Sequence, residues 1–284
     1  MNIKNYEFLK DQVFYSGFGD VMEDDLKQHM LSEDTTFKLN FRTGNEQQEL
    51  HAVLNFSKSK QSDMFFFNSY TLEILEKDSG DKISSLFYVN GTDRFTLKEA
   101  YNLLHGRSVN KNLTTKRGET YNAWVKLEFT EFDSRGNFKM RKFHENYGFD
   151  LPAELKKYPI QELLYNDSKA MLLESLGRGN RQSVTFQVGE GKIRMMVEAA
   201  PEFKTVHVYD QQNLKVELDD IPSMSESTLN TLESEDDHAS RESAAGENEL
   251  EEQQQHDNLE QQEDVSKNNE EPVVQKKRRR RTNA

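Results

Sequence analysis

TFKLNFRTGNEQQELHAVLNF, residues 36–56, puts Phe37, Leu39 and Phe41 at every second position, breaks around Gly44, and resumes with Leu50, Ala52, Leu54 and Phe56. A period of two with polar residues between the apolar ones is the pattern of a strand with one dry face, and the polar 42–48 stretch joins two such strands as a hairpin. DMFFFNSY (63–70) and YTLEILE (70–76) extend the series, with Asn68 and Ser69 read as a turn between them, and KISSLFYV (82–89) ends at Asn90-Gly91. Strands with one wet face joined by short polar turns predict an antiparallel sheet.

The pattern changes on either side of this block. Before it, Tyr6, Leu9, Val13 and Phe14 fall at helical spacing and Gly17 and Gly19 close the helix; Met22, Leu26 and Met30 suggest a second one over about 21–30. After it, Thr96 and Glu99 form a capping-box pattern for a helix carrying Leu97, Tyr101 and Leu104 and stopping at Gly106. GRSVNKNLTTKRGE (106–119) reads as a polar link. YNAWVKLEF (121–129) then places Tyr121, Ala123, Val125, Leu127 and Phe129 on one face, and FDSRGN turns it into FKMRKFH (138–144). Asp150 caps a short helix that tolerates Pro152 in its opening turn and ends by Pro159; a further helix covers about 167–176 and stops in GRGN. SVTFQV, KIRMMVEA and KTVHVYD are the last strands.

The predicted fold class is therefore α+β, mostly antiparallel sheet, arranged as two related meander units with short helices. The relatedness rests on an echo between 37–56 and 183–199, each continuing into one more strand, a rhythm that any antiparallel meander also produces. The predicted divisions are 1–84 (N-terminal helix and strands), 85–220 (helix plus strands) and 221–284 (an acidic tail with a basic end).

Charge supports the last division. Residues 1–220 hold 34 acidic and 29 basic residues, whereas 221–275 hold 16 acidic residues against Arg241 and Lys267. All 18 Phe, all 10 Tyr and Trp124 precede position 221. The tail has too little apolar area to offset its ordering entropy, so 221–284 is expected to be disordered. With no cysteine, disulfides and cysteine-ligated metal centres are excluded. No stretch approaches the roughly 18 apolar residues of a spanning helix, and residues 1–20 lack the apolar core of an export signal. No membrane association and a cytoplasmic location are expected.

No catalytic motif emerges. The seven histidines have no metal-ligand spacing; His144-Glu145 near Asp150 is the nearest polar cluster, and it reads more simply as a strand end and a helix cap. GRGNR (177–181) and GFGD (17–20) pair glycines without the strand-to-helix setting of a phosphate loop, and GRGNR is better read as a helix stop with Arg178 and Arg181 facing solvent. No catalytic residue, metal or cofactor is assigned, and an enzymatic role is less expected than a non-enzymatic one.

Two basic regions remain. Lys276, Lys277, Arg278, Arg279, Arg280 and Arg281 end the chain, and such a cluster attracts polyanions with steep salt dependence and little sequence preference. It is equally able to fold back on the acidic run. In 107–144, Trp124 with Lys126, Lys139, Arg141 and Lys142 would combine stacking with phosphate attraction if that strand face were open. The competing reading, favoured by Glu119, Glu128, Glu131 and Asp133 interrupting the positive field, packs Trp124 under a helix and leaves the lysines to solubilise the hairpin.

Gly106, Asn122, Ala123, Trp124, the HENYG at 144–148, Tyr158-Pro159, Gly179-Asn180 and Gln182-Ser183 carry a resemblance to uncharacterised domains of unknown function from conjugative transposons and related mobile elements of Bacteroidetes bacteria. The resemblance covers about 85–220 and implies a bacterial protein encoded near DNA-processing genes, with no catalytic residue. It argues against a nuclear-import reading of KKRRRR. The expectation is a non-enzymatic accessory or adaptor protein of mobile-element DNA handling, contacting DNA or RNA non-specifically and salt-sensitively. A protein partner from the mobile-element machinery is also expected. The alternative is a protein–protein interaction module whose acidic tail engages a basic partner.

Overall fold

The computed structural model describes residues 1–89, 94–115, 117–217 and 221. Strands β1 (Thr36–Gly44), β2 (Gln48–Lys58), β3 (Phe65–Glu76) and β4 (Lys82–Tyr88) form an antiparallel meander in sequential order. Helices α1 (Ile3–Val13), α2 (Glu23–Leu31) and α3 (Leu97–Leu104) pack on its apolar face. That face is aromatic: Phe37 stacks on Phe56 at 4.8 Å and Phe56 on Phe67 at 4.9 Å, while Phe18 meets Tyr70 edge-on at 5.1 Å. Buried Asn5 ties α1 to the sheet as a strand neighbour would. Its Nδ2 donates to the Phe65 carbonyl and its Oδ1 accepts from the Phe65 amide.

The turn expected at Asn68 and Ser69 is absent, and β3 runs through it. Asn55 faces Ser69 while Phe56 faces Phe67, so Asn68 is one extra residue, a β-bulge. The bulge resets the alternation: Phe65 and Phe67 are buried before it, and Tyr70, Leu72 and Ile74 after it. The helix at 97–104 matches its sequence signal, with the Thr96 hydroxyl accepting from the Glu99 amide and the Glu99 carboxylate accepting from the Thr96 amide.

The stretch 106–119, read above as a polar link, contains a strand. β5 (Val109–Thr114) pairs with β6 (Thr120–Phe132), which pairs with β7 (Phe138–His144). Only Val109 and Leu113 are buried hydrophobic residues in β5, too few to announce it. Next come α4 (Leu151–Leu155), capped by Asp150, and α5 (Asn166–Gly177). β8 (Gln182–Val188), β9 (Gly191–Ala200), β10 (Thr205–Tyr209) and the short β11 (Lys215–Val216) form the third sheet, also sequential and antiparallel. The architecture is α+β with three antiparallel sheets and short helices.

Two hydrophobic clusters fill it. The first gathers residues from Tyr6 to Leu127, on both sides of position 84; the second runs from Trp124 to Ile221. The β5–β7 sheet serves both. Val109, Leu113, Ala123, Val125 and Leu127 enter the first cluster, while Trp124 and Phe143 enter the second. Ile221 is buried, so the first residue assigned to the tail belongs to the folded body. The disorder expected for the rest of that segment lies outside the described residues. Among the described residues, no helix is long and apolar enough to cross a membrane.

The α5–β8 connection locks the two clusters together. Fully buried Asn102 of α3 donates through Nδ2 to the Arg178 carbonyl at 2.8 Å and to Asn180 Oδ1 at 2.8 Å. Gly179, at φ +83°, lies so close that an added Cβ would sit 2.9 Å from the Ser108 carbonyl oxygen and 3.1 Å from the Asn102 Cβ. A Gly179→Ala exchange combines left-handed strain with a backbone collision and should lower stability by about 2–4 kcal/mol. Gly136→Ala shares φ +83° but meets nothing within 4 Å, and should cost about 1 kcal/mol. Urea unfolding of both variants checks the difference.

Candidate functional site

The strand hidden in the polar link builds a polar cleft. Asn110 and Asn112 of β5 and Asn122 of β6 form a ladder of carboxamides. Asn110 and Asn122 exchange hydrogen bonds at 2.8 and 2.9 Å, and Asn122 Nδ2 also donates to Asn112 Oδ1 at 3.0 Å. Both Asn122 N–H groups are thereby used, and the Asn112 amide nitrogen has no hydrogen-bond partner among the described residues. Lys111 Nζ donates to both oxygens of Glu99 at 2.9 Å, and the Glu99 side chain is only 8% exposed. Because Glu99 also caps α3, its carboxylate is saturated by fixed donors and is no free base. Arg94 completes the lining of a cleft of about 380 Å³. It has no hydrogen-bond or ion-pair partner among the described residues. Two cations against one carboxylate leave the lining with a single net positive charge and an excess of donors.

The basic face proposed from the sequence has its ring buried and its cations bonded to neighbours. Trp124 is 8% exposed, seated in the second cluster edge-on to Phe149 at 5.4 Å. Lys126 Nζ and Arg141 Nη1 both reach Glu202, at 2.8 and 2.6 Å, on the turn that leads into β10. Their attraction, led by the Lys126 hydrogen bond, holds the Glu202 carboxyl below the usual glutamate range. Lys139 pairs with Glu131 at 2.9 Å, and Lys142 donates to the Tyr121 hydroxyl. Trp124, Lys126 and Arg141 thus belong to the seam between the second and third sheets, while Lys139 and Lys142 bond within the second sheet. Lys276, Lys277, Arg278, Arg279, Arg280 and Arg281 lie outside the described residues.

Arg181, expected to face solvent, is instead part of a network on the third sheet. Its Nη2 approaches Glu198 Oε2 at 3.1 Å, its guanidinium stacks 3.8 Å from the Tyr209 ring centre, and Tyr209 donates to Glu198 Oε1 at 2.7 Å. Burial pushes the Glu198 carboxyl up, but hydrogen bonds from His207 and Tyr209 and the charge of Arg181 outweigh it, leaving it at about 2. Burial and then the Glu198 bond push the Tyr209 hydroxyl up to about 12.

The far end of the β6–β7 hairpin keeps its apolar residues in water. Glu128 faces Lys139, yet the next pair is Phe132 with Phe138, so residues 129–131 bulge out of the ladder. Phe138 contacts Phe129 edge-on at 5.0 Å and Phe132 at 5.2 Å. Phe132 is 54% exposed, and Phe129 and Met140 are exposed beside it. Arg135 at the turn bonds the hydroxyl of exposed Tyr88 on β4. The sequence placed Phe129 on the buried row; the bulge takes it out of phase.

Comparison with protein-family models, curated proteins and solved structures finds no match to this chain. The expectation of a DNA-binding protein of conjugative transposons and mobile elements is therefore overturned. No family match carries it, and no group of three or more histidines and carboxylates that could hold a metal occurs among the described residues. The residues quoted for the resemblance have structural places instead: Trp124 fills a core, and Gly179-Asn180 locks α3 to α5.

The Glu198 network has a pH signature. A carboxyl held at about 2 when folded and near 4.5 when free contributes its stabilisation above pH 4.5 and loses it as pH falls towards 2. The full effect is about 3 kcal/mol. Unfolding free energy measured from pH 7 down to 2.5 should fall by most of this amount in the native protein, and Glu198→Gln should flatten that part of the profile.

Proposed function

We propose that this protein is a non-enzymatic adaptor, a protein–protein interaction module that holds a partner through the end of its β6–β7 hairpin. The observation that carries this reading is the water-facing group Phe129, Phe132 and Met140 around Phe138. Exposed aromatic clusters of this kind lose solvation free energy in water that a partner surface restores. The partner is basic. Residues 221–275 carry 16 carboxylates against two cations. That acidic run favours fast, salt-sensitive encounter, and the rings supply the short-range contact. The shared sequential order of β1–β4 and β8–β11 supports reading the two sheets as related meander units.

A photo-crosslinking residue at position 132 of the full chain, compared with one at exposed Lys38 on β1, should enrich one basic partner in the native host. The purified partner should then bind Phe132→Ser at least about tenfold more weakly, with unchanged melting of the variant. Its affinity for the native chain should fall as salt rises. Equal labelling from both positions, or unchanged affinity for Phe132→Ser, would overturn the reading.

A further inference from the structure

We infer that the cleft between α3 and β5 is a binding site for a small, polar, anionic molecule, one whose carboxylate or phosphate group meets Arg94. The site is independent of the hairpin surface and is built, rather than incidental. Its floor is a fixed pair, Lys111 with a Glu99 carboxylate that is nine-tenths buried and held from a second side by the Thr96 amide. Its wall is a ladder of three carboxamides whose mutual bonds settle each orientation, so Asn112 presents N–H donors rather than its oxygen. Arg94, exposed and without a partner among the described residues, supplies a planar fork matched to two oxygens of one anion.

The lining also limits what the rest of the ligand can be. The net positive charge of the lining favours an anionic head group over a neutral or cationic one. Six polar side chains and no aliphatic wall favour a hydroxylated body over an apolar one, because each buried amide left unmatched by an apolar ligand would cost affinity. About 380 Å³ is room for a monosaccharide-sized molecule rather than a bare ion. Sugar acids and sugar phosphates share this chemistry. Lys111 keeps its position through Glu99 and the Phe95 ring, 5.6 Å below it, and so acts as a preset charge rather than a group that must be ordered on binding.

Calorimetric titration of the full chain with glucuronate, glucose 6-phosphate, inorganic phosphate and glucose tests this. The expected result is saturable binding of at least one sugar anion, with the stronger of the two identifying the head group, and binding of neutral glucose weaker by about tenfold or more. Arg94→Gln should weaken the sugar anion at least about tenfold, and Asn112→Ala by a smaller factor. Both residues are exposed, so melting should be unchanged. Arg42→Gln, which removes a surface pair with Glu49 on β2, should bind as the native chain does. Binding of both sugar anions no stronger than glucose, or affinity unaltered by Arg94→Gln, would overturn the inference. The second result would assign anion binding to other basic residues.

Discussion

Over residues 123–127 the middle strand of the second sheet has almost no wet side, and the rest of the molecule is arranged around that fact. Ala123, Val125 and Leu127 complete the aromatic core under the first sheet, while Trp124, between them in sequence, anchors the core under the third. An isolated antiparallel sheet leaves one face to solvent, so a strand with two dry faces requires a layer on each side. Sequential meanders of four strands supply those layers. Lys126, the polar exception, points to the third-sheet side and is neutralised there by Glu202, which Arg141 also engages.

This shared sheet explains why the charges of Lys111, Lys126 and Arg141 are structural. Cations that lie on a face later covered by another layer must be paired, since an unpaired buried charge costs several kcal/mol. Glu202 answers Lys126 and Arg141 from 76 and 61 residues away, and Glu99 answers Lys111 from the helix across the cleft. Arg94 differs because it stands at a rim, where no layer is added. The two unclosed features, the cleft and the hairpin end, lie where the packing of three layers stops.

Much of the secondary structure was legible because each element has its own local signal. The alternation in 36–56, the Thr96–Glu99 box and the Asp150 cap all appear in the structure as read. The failures have physical causes of their own. Asn68 looked like a turn because a bulge and a turn interrupt the same periodicity, and only pairing with β2 separates them. β5 looked like a link because its wall is made of asparagines, whose low strand preference conceals a strand used for its side-chain amides. That misreading also hid the cleft, since the carboxamides converge only once β5 lies beside β6.

By itself the sequence determined the antiparallel α+β character, the helix boundaries set by caps and glycines, and the separation of an aromatic-rich body from an acidic terminal run. These are local or compositional properties, written in the period of the chain and in its charge. Only the tertiary structure decided which side of β6 would be dry, which cations would be paired, and that Asn102 and Gly179 would join two cores. Those outcomes depend on residues brought together across tens of positions. A strand's pattern states that two faces differ, but a neighbouring layer determines whether the second face meets water.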